Sequence, residues 1–137
     1  NTPNNKISTV RDAHVDATNI FYTGMLYLRD NDDKSEGANF VIYETLKKEI
    51  RVGPGRSVNR SKLKKVNEIQ YKGNNMIIFR NGKNSIHGVS PRGITKNSRK
   101  FIAFNAAYKH PLFNLKSKRS NVYFYYIDKI KSVFSKV

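Results

Sequence analysis

Residues 19–32 read NIFYTGMLYLRDND, an aromatic and aliphatic run that ends in a turn rich in Asp and Asn. Such a run is typical of a β-strand, because aromatic residues suit a pleated sheet while Asp and Asn favour turns. Further apolar runs with polar flanks lie at residues 39–43, 75–80, 99–107 and 121–127. Many short strands joined by polar turns predict an all-β sandwich, barrel or jelly roll.

Two stretches depart from this strand pattern. Residues 53–65 read GPGRSVNRSKLKK, which predicts a mobile basic loop disposed around a partner or the mouth of a site. Near the C-terminus Ile127, Ile130, Phe134 and Val137 recur at helical spacing between lysines. That spacing predicts a short amphipathic closing helix.

Length and composition limit the class of protein. We expect the 137 residues, 1–137, to form one domain, either alone or as part of a longer polypeptide. The lack of cysteine excludes a disulfide framework, a thiolate zinc site and a cysteine nucleophile. No apolar run is long enough to span a bilayer and no signal-peptide pattern is present, so we expect a soluble protein, with a cytoplasmic location favoured.

The charge balance is strongly basic. The chain carries 26 Lys and Arg against 10 Asp and Glu, a formal net charge of +16. A field of that sign attracts nucleic acid or an acidic partner. A solvated surface on a lysine-rich chain explains the same numbers, so charge alone assigns no function.

A His-x-Asp pair, His14-Val15-Asp16, comes just before the first strand run. Residues two apart in an extended chain lie on the same side, so the imidazole and the carboxylate can point at one place. The pattern is short, and taken alone it is more often a surface pair than a metal site.

Two further residues belong to the same interpretation. His87 lies in residues 85–89, SIHGV, and Arg99 follows twelve residues later at the start of a strand run. In isolation His87 is read as a core or turn histidine and Arg99 as a solvated cation. His110 precedes a proline and is read as a loop residue.

Taken together these motifs resemble the iron(II)- and 2-oxoglutarate-dependent oxygenases of the prolyl-4-hydroxylase-like branch. The resemblance extends from about residue 12 to 105 and depends on the order of the motifs. In chain order they are His14-Val15-Asp16, Tyr27-Leu28 before an acidic turn, Glu36-Gly37, the SIHGV segment with His87, and Arg99.

The resemblance implies a double-stranded β-helix, a jelly-roll barrel, with His14, Asp16 and His87 as catalytic residues and iron ligands. It also implies that Arg99 anchors the remote carboxylate of 2-oxoglutarate and that Tyr27 supports it. The implied cofactors are iron(II), 2-oxoglutarate and dioxygen, with ascorbate as a further candidate. The implied activity is hydroxylation of an unidentified substrate, a peptidyl prolyl or other protein side chain being favoured.

The chain departs from the family pattern in two places. Ala38 stands where a second glycine is common, and Phe101 replaces a small hydroxyl residue often found two positions after the arginine. Lys96 and Lys100 compete with Arg99 for the anchoring role, although alternation along the strand favours Arg99.

Two alternatives remain open at this level. The first is a non-catalytic jelly-roll module whose basic surface, including residues 56–65, binds nucleic acid or an acidic partner. The second is a sugar or nucleotide-sugar cupin, which shares the fold but normally uses more histidines than His14, His87 and His110.

Overall fold

The computed structural model describes residues 5–9, 11–46 and 51–117. The strands are β1 (Ile20–Tyr27), β2 (Phe40–Thr45), β3 (Arg51–Val52), β4 (Leu63–Ile69), β5 (Met76–Arg80), β6 (Ile86–Val89), β7 (Phe101–Ala107) and β8 (Lys116–Ser117). Two 3-10 turns, Pro54–Arg56 and Arg60–Lys62, are the only helical elements of these ranges. The expected all-β class is therefore confirmed for the described residues, none of whose helices is long and apolar enough to cross a membrane.

Two antiparallel sheets form the framework. The first has the order β5-β1-β7 and the second has the order β4-β2-β6, while β3 and β8 form a short parallel pair. Alternation along β1 sends Met25 and Tyr27 to the core, where Tyr27 is fully buried. The central position of β1 follows from its length and its apolar character.

One apolar cluster takes residues from both sheets. Tyr27 and Ile77 of the first sheet lie in the same buried cluster as Phe40 and Val89 of the second. Tyr71, from the connection between β4 and β5, is also part of it. Burial of each such large side chain contributes about 1.5–3 kcal/mol, so this cluster stabilises the pairing of the sheets.

The second sheet continues beyond β6 through two irregular segments. Residues 11–15 hydrogen-bond to β6, since Val89 N donates to Arg11 O at 2.9 Å, and Val58 N donates in turn to Ala13 O at 2.8 Å. A second apolar cluster covers one face of this extension with Ala13, Val15 and Val58. His14 must therefore face the other way.

The predicted strands at residues 19–28, 39–43, 75–80 and 99–107 are confirmed to within a few residues. The prediction of a loop over residues 53–65 is wrong at its end, because β4 begins at Leu63. β4 lies at the edge of its sheet and exposes four of its seven residues, so its sequence has no apolar alternation. The strand predicted at residues 121–127 and the predicted C-terminal helix lie outside the described residues.

Candidate metal centre

His14, Asp16 and His87 lie together, with one ligand atom from each within 4.8 Å of the others. The Nε2 atoms of His14 and His87 lie 3.6 Å and 3.7 Å from Oδ1 of Asp16. Both imidazoles are buried, with side-chain exposures of 10% and 9%. The ligand atoms of the three predicted residues are therefore close enough together to contact one metal ion.

Backbone pairing positions the two histidines. His14 N donates to His87 O at 2.8 Å and His87 N donates to His14 O at 3.0 Å. Directly opposed residues of an antiparallel pair have their side chains on the same face, so the rings meet with centroids 4.4 Å apart. Asp16 lies two residues after His14 and reaches the same face.

Backbone carbonyls orient both imidazole rings. Nδ1 of His14 lies 2.8 Å from the carbonyl of Asp12, and Nδ1 of His87 lies 2.9 Å from the carbonyl of Ser85. A carbonyl can only accept, so each Nδ1 donates to it, and both Nε2 atoms face Asp16. This arrangement is the outer-shell support that metal-binding histidines have.

Asp16 is a carboxylate, and one of its two oxygens accepts a hydrogen bond from a neighbouring side chain. The Thr23 hydroxyl donates to Oδ2 at 2.7 Å, while Oδ1 faces both imidazoles. Burial acts to raise the pKa of Asp16, but hydrogen bonding to His14 and Thr23 and the nearby imidazoles outweigh it and lower the pKa to about 2. The group is ionised at neutral pH and can bind a cation through Oδ1.

Two aromatic rings surround His87. Its ring stacks on Phe40 with centroids 5.3 Å apart and contacts Phe79 at 4.6 Å. Burial, followed by the nearby His14, lowers the pKa of His87 below its ordinary value. His87 is therefore neutral at pH 7, which is the form that binds a metal.

These three side chains can hold a divalent metal ion. Two imidazole nitrogens and one carboxylate oxygen on one side leave further coordination positions open to small ligands. This donor set, with its open positions, is the one that non-haem iron(II) oxygenases use.

Arg99 and Tyr27 lie together in the aromatic core. Arg99 is 3% exposed, its Nη2 donates to the Tyr27 hydroxyl at 3.2 Å, and its Nε donates to the Ala38 carbonyl at 3.2 Å. The guanidinium also lies over the rings of Tyr71, at 5.1 Å, and Phe101, at 4.8 Å. Burial lowers the pKa of Arg99 from its usual value, but the side chain stays cationic at neutral pH.

The lysines that compete with Arg99 point outward. Lys96 and Lys100 are exposed, and the Lys100 ammonium lies 2.8 Å from a carboxylate oxygen of Asp30. Arg99 is therefore the cation that alternation directs inward. His110, the third histidine, is exposed in the segment after β7.

Part of the basic 53–65 segment borders the centre. Arg56 Nε donates to Val15 O at 3.1 Å, and Ser57 forms a backbone bridge with His14. A cavity of about 440 Å³ lies against this segment. It is lined by Asp12, Arg51, Gly53, Ser57, Val58, Asn59 and Arg60. The expected position beside the site is present, whereas the mobility of the segment stays a prediction.

The sequence interpretation missed Thr23, whose hydroxyl holds Asp16. Thr23 lies in β1 two residues before Met25 and four before Tyr27, so alternation places it on the same inward face. That position is the sequence signal from which its contact with Asp16 could have been predicted. It also missed a buried ion pair between Arg92 and Asp33, for which no local pattern exists.

Comparison with known proteins gives no family assignment. No protein-family model, no curated protein and no solved structure matches this chain.

Proposed function

We propose that this chain is an iron(II)- and 2-oxoglutarate-dependent dioxygenase that hydroxylates a substrate still to be identified. The observation that carries the proposal is the convergence of His14, Asp16 and His87 with both Nε2 atoms directed at Asp16. The order of the motifs along the chain, which resembles the prolyl-4-hydroxylase-like oxygenases, supports the same activity.

The donor set suits a divalent transition metal. An all-oxygen set would favour calcium or magnesium, whereas two imidazoles and one carboxylate bind iron(II) and also catalytic zinc. The order of the motifs, which resembles the oxygenases, favours iron(II). Iron(II) and 2-oxoglutarate would together activate dioxygen for hydroxylation of a C–H bond. Ascorbate remains a candidate addition.

The protein residues have separate tasks in this proposal. His14 and His87 are fixed by the carbonyls of Asp12 and Ser85, so their Nε2 atoms can bind a metal without rearrangement. Asp16 supplies the negative charge. The rings against His87 limit the access of water to one side of the centre.

Arg99 is the proposed anchor for the remote carboxylate of 2-oxoglutarate. Its guanidinium can donate two parallel hydrogen bonds to a carboxylate, and its aromatic surroundings strengthen the attraction because they exclude water. The Tyr27 hydroxyl, 3.2 Å from Arg99, is the proposed second donor to the same carboxylate.

A double-stranded β-helix is the finer fold that we propose. Two antiparallel sheets share one buried cluster, and the second sheet is extended past β6 by residues 11–15, which include the candidate ligand His14. In that fold the metal lies between the sheets at one open end.

An anaerobic titration with iron(II) followed by 2-oxoglutarate tests the proposal. We expect a metal-to-ligand charge-transfer band in the visible range when both are present. His87→Ala should abolish the band, whereas His110→Ala, which removes an exposed histidine, should retain it. A parent protein without the band would favour the non-catalytic jelly-roll module with a basic surface.

Replacement of Asp16 and replacement of Arg99 should impair the binding of different ligands. Asp16→Ala should lose iron(II), because it removes the charged ligand. Arg99→Ala should keep iron(II) but weaken 2-oxoglutarate by about tenfold or more, since an unpaired buried carboxylate costs about 2–5 kcal/mol.

Conservative and control variants complete this comparison. Arg99→Lys should recover part of the 2-oxoglutarate affinity, because lysine keeps the charge but not the fork geometry. Lys100→Ala removes an exposed cation from the next position and should have little effect. Unchanged 2-oxoglutarate binding in Arg99→Ala would show that the anchor lies elsewhere.

A further inference from the structure

Exposed arginines lie directly beside the metal centre. Arg56 Nε donates to the carbonyl of Val15, the residue between His14 and Asp16. Arg11 Nη2 donates to the carbonyl of Gly55 at 3.1 Å. In the described part of the chain neither arginine forms an ion pair, so backbone carbonyls hold both guanidinium groups without neutralising them.

The neighbouring cavity has the same sign of charge. Arg51 and Arg60 line it, and its one acidic lining residue, Asp12, pairs with Arg60. Ser57 also lines it and is bridged to His14, so the cavity adjoins the centre. We name the four arginines the arginine rim. They are Arg11, Arg51, Arg56 and Arg60.

An exposed aromatic pair lies at the start of β1, the strand that carries Thr23. Phe21 is 42% exposed, Tyr108 is 56% exposed, and their ring centroids are 6.2 Å apart. Phe21 is the extra residue of an irregularity in the pairing of β1 with β7, and such bulges redirect side chains next to active sites. It lies two residues, about 7 Å, from Thr23, which contacts Asp16.

We propose that the arginine rim and the aromatic pair bind single-stranded nucleic acid beside the centre of the oxygenase proposed above. Guanidinium groups bind phosphates through paired hydrogen bonds. Exposed rings stack on bases, which an acidic peptide does not offer. The net charge of +16 favours a densely charged polymer over a neutral prolyl peptide.

Binding of a fluorescein-labelled oligonucleotide of about twelve nucleotides to the full chain, measured by fluorescence anisotropy without metal, tests the rim. Replacing Arg51, Arg56 and Arg60 together by Gln should weaken binding on the order of 100-fold at about 0.1 M salt. The slope of log affinity against log salt should fall by about 2.

A control with the same loss of charge separates the effect of the arginine rim on binding from the effect of the overall net charge. Lys64, Lys65 and Lys100 are exposed and paired with acidic residues, and their triple change to Gln should weaken binding by less than about tenfold. Equal losses in the two triple variants would overturn the proposal. Lysine in place of Arg51, Arg56 and Arg60 keeps the charge and serves where the Gln variant does not fold.

The aromatic pair is tested separately. Tyr108→Ser should weaken oligonucleotide binding by about tenfold, because it removes a stacking ring. Ile102→Ser removes a similarly exposed apolar side chain from β7 and should leave binding unchanged. An equal effect of both changes would count against stacking.

A labelled oligo-glutamate of equal charge identifies the class of partner. Binding as tight as that of the oligonucleotide would overturn the nucleic-acid assignment in favour of an acidic peptide. Because these assays need no iron, oligonucleotide binding without a charge-transfer band would overturn the oxygenase and leave the binding surface. A band without oligonucleotide binding would overturn this inference alone.

Discussion

At the scale of single residues, the geometry of the candidate centre depends on groups other than the three candidate ligands. Thr23 holds one oxygen of Asp16, and two backbone carbonyls hold the imidazoles of His14 and His87. Such partners restrict the ligands to one geometry before the ion binds, so less conformational entropy is lost on binding.

Thr23→Val removes the hydroxyl donor and keeps the β-branched shape. We expect the affinity for Mn(II), a redox-stable substitute for iron(II), to fall about tenfold, because Asp16 loses the hydrogen bond that fixes it. Calorimetric titration measures the change. Thr18→Val, outside the centre, is the matched control, and an equal loss in both variants would remove Thr23 from this role.

Backbone conformation at Gly37 is a second constraint at this scale. Gly37 has φ +79, and a Cβ there would lie 1.8 Å from the carbonyl oxygen of Pro91. The next residue, Ala38, also has positive φ, 60, and its carbonyl accepts from Arg99. The turn therefore aims a carbonyl at the proposed anchor.

Gly37→Ala should destabilise the protein by about 3 kcal/mol, which combines left-handed backbone strain with a clash that only backbone movement relieves. Gly55→Ala has a similar φ of +63 but no atom closer than 4.0 Å. It should cost about 1 kcal/mol. Urea unfolding measures both values, and equal values would mean that the clash is relieved without cost.

At the scale of elements, the connection between β1 and β2 is tied to the segment after β6. Arg92 Nη2 donates to Asp33 Oδ2 at 2.7 Å, and both side chains are 1% exposed. Arg29 lies 3.5 Å from the same oxygen. This buried cluster fixes the entry of the chain into β2 and thus the position of Ala38 relative to Arg99.

Asp33→Asn should cost about 3 kcal/mol, because it removes the carboxylate that a buried guanidinium contacts. Asp30→Asn breaks only the solvent-exposed pair with Lys100 and should cost less than about 1 kcal/mol. Chemical unfolding at neutral pH measures the difference. Similar small losses in both variants would contradict a structural role for the buried pair.

The same carboxylate predicts a dependence on pH. Burial acts to raise the pKa of Asp33, but hydrogen bonds from Ser35 and the charges of Arg92 and Arg29 lower it below 3.8 overall. Its contribution to stability is therefore complete above pH 3.8 and is lost as the pH falls through the lower folded-state pKa. Asp33→Asn should lack this part of the acid unfolding.

At the scale of the whole molecule, charge and packing oppose each other. The chain carries 26 basic and 10 acidic residues, and in the ranges that the structure describes two separate apolar clusters hold it together. Repulsion among the excess positive charges destabilises the compact state. Attraction in the exposed ion pairs is too weak to offset it.

Added NaCl should therefore stabilise the protein. Between about 0.01 M and 0.15 M salt the screening length falls from about 30 Å to about 8 Å, which suppresses repulsion across the molecule. We expect the melting temperature to rise by about 3 °C, which corresponds to about 1 kcal/mol. A lower melting temperature at the higher salt would show that ion pairs dominate instead.

The sequence alone determined the class of fold and the identity of the candidate ligands. The strands with apolar runs, β1, β2, β5 and β7, could be predicted because alternation is a local property of each strand. The order of the motifs pointed to His14, Asp16 and His87 as candidate metal ligands and to Arg99 as the candidate anchor of the cosubstrate.

Only the tertiary structure decided which segments pair and what surrounds the ligands. The polar edge strand β4 lacks a local pattern of apolar alternation, and the pairing of His14 with His87 joins residues that are distant in sequence. Periodicity specifies the face of a strand but not its partner or register. Those are set by long-range burial, as when the two sheets share the cluster around Tyr27 and Phe40.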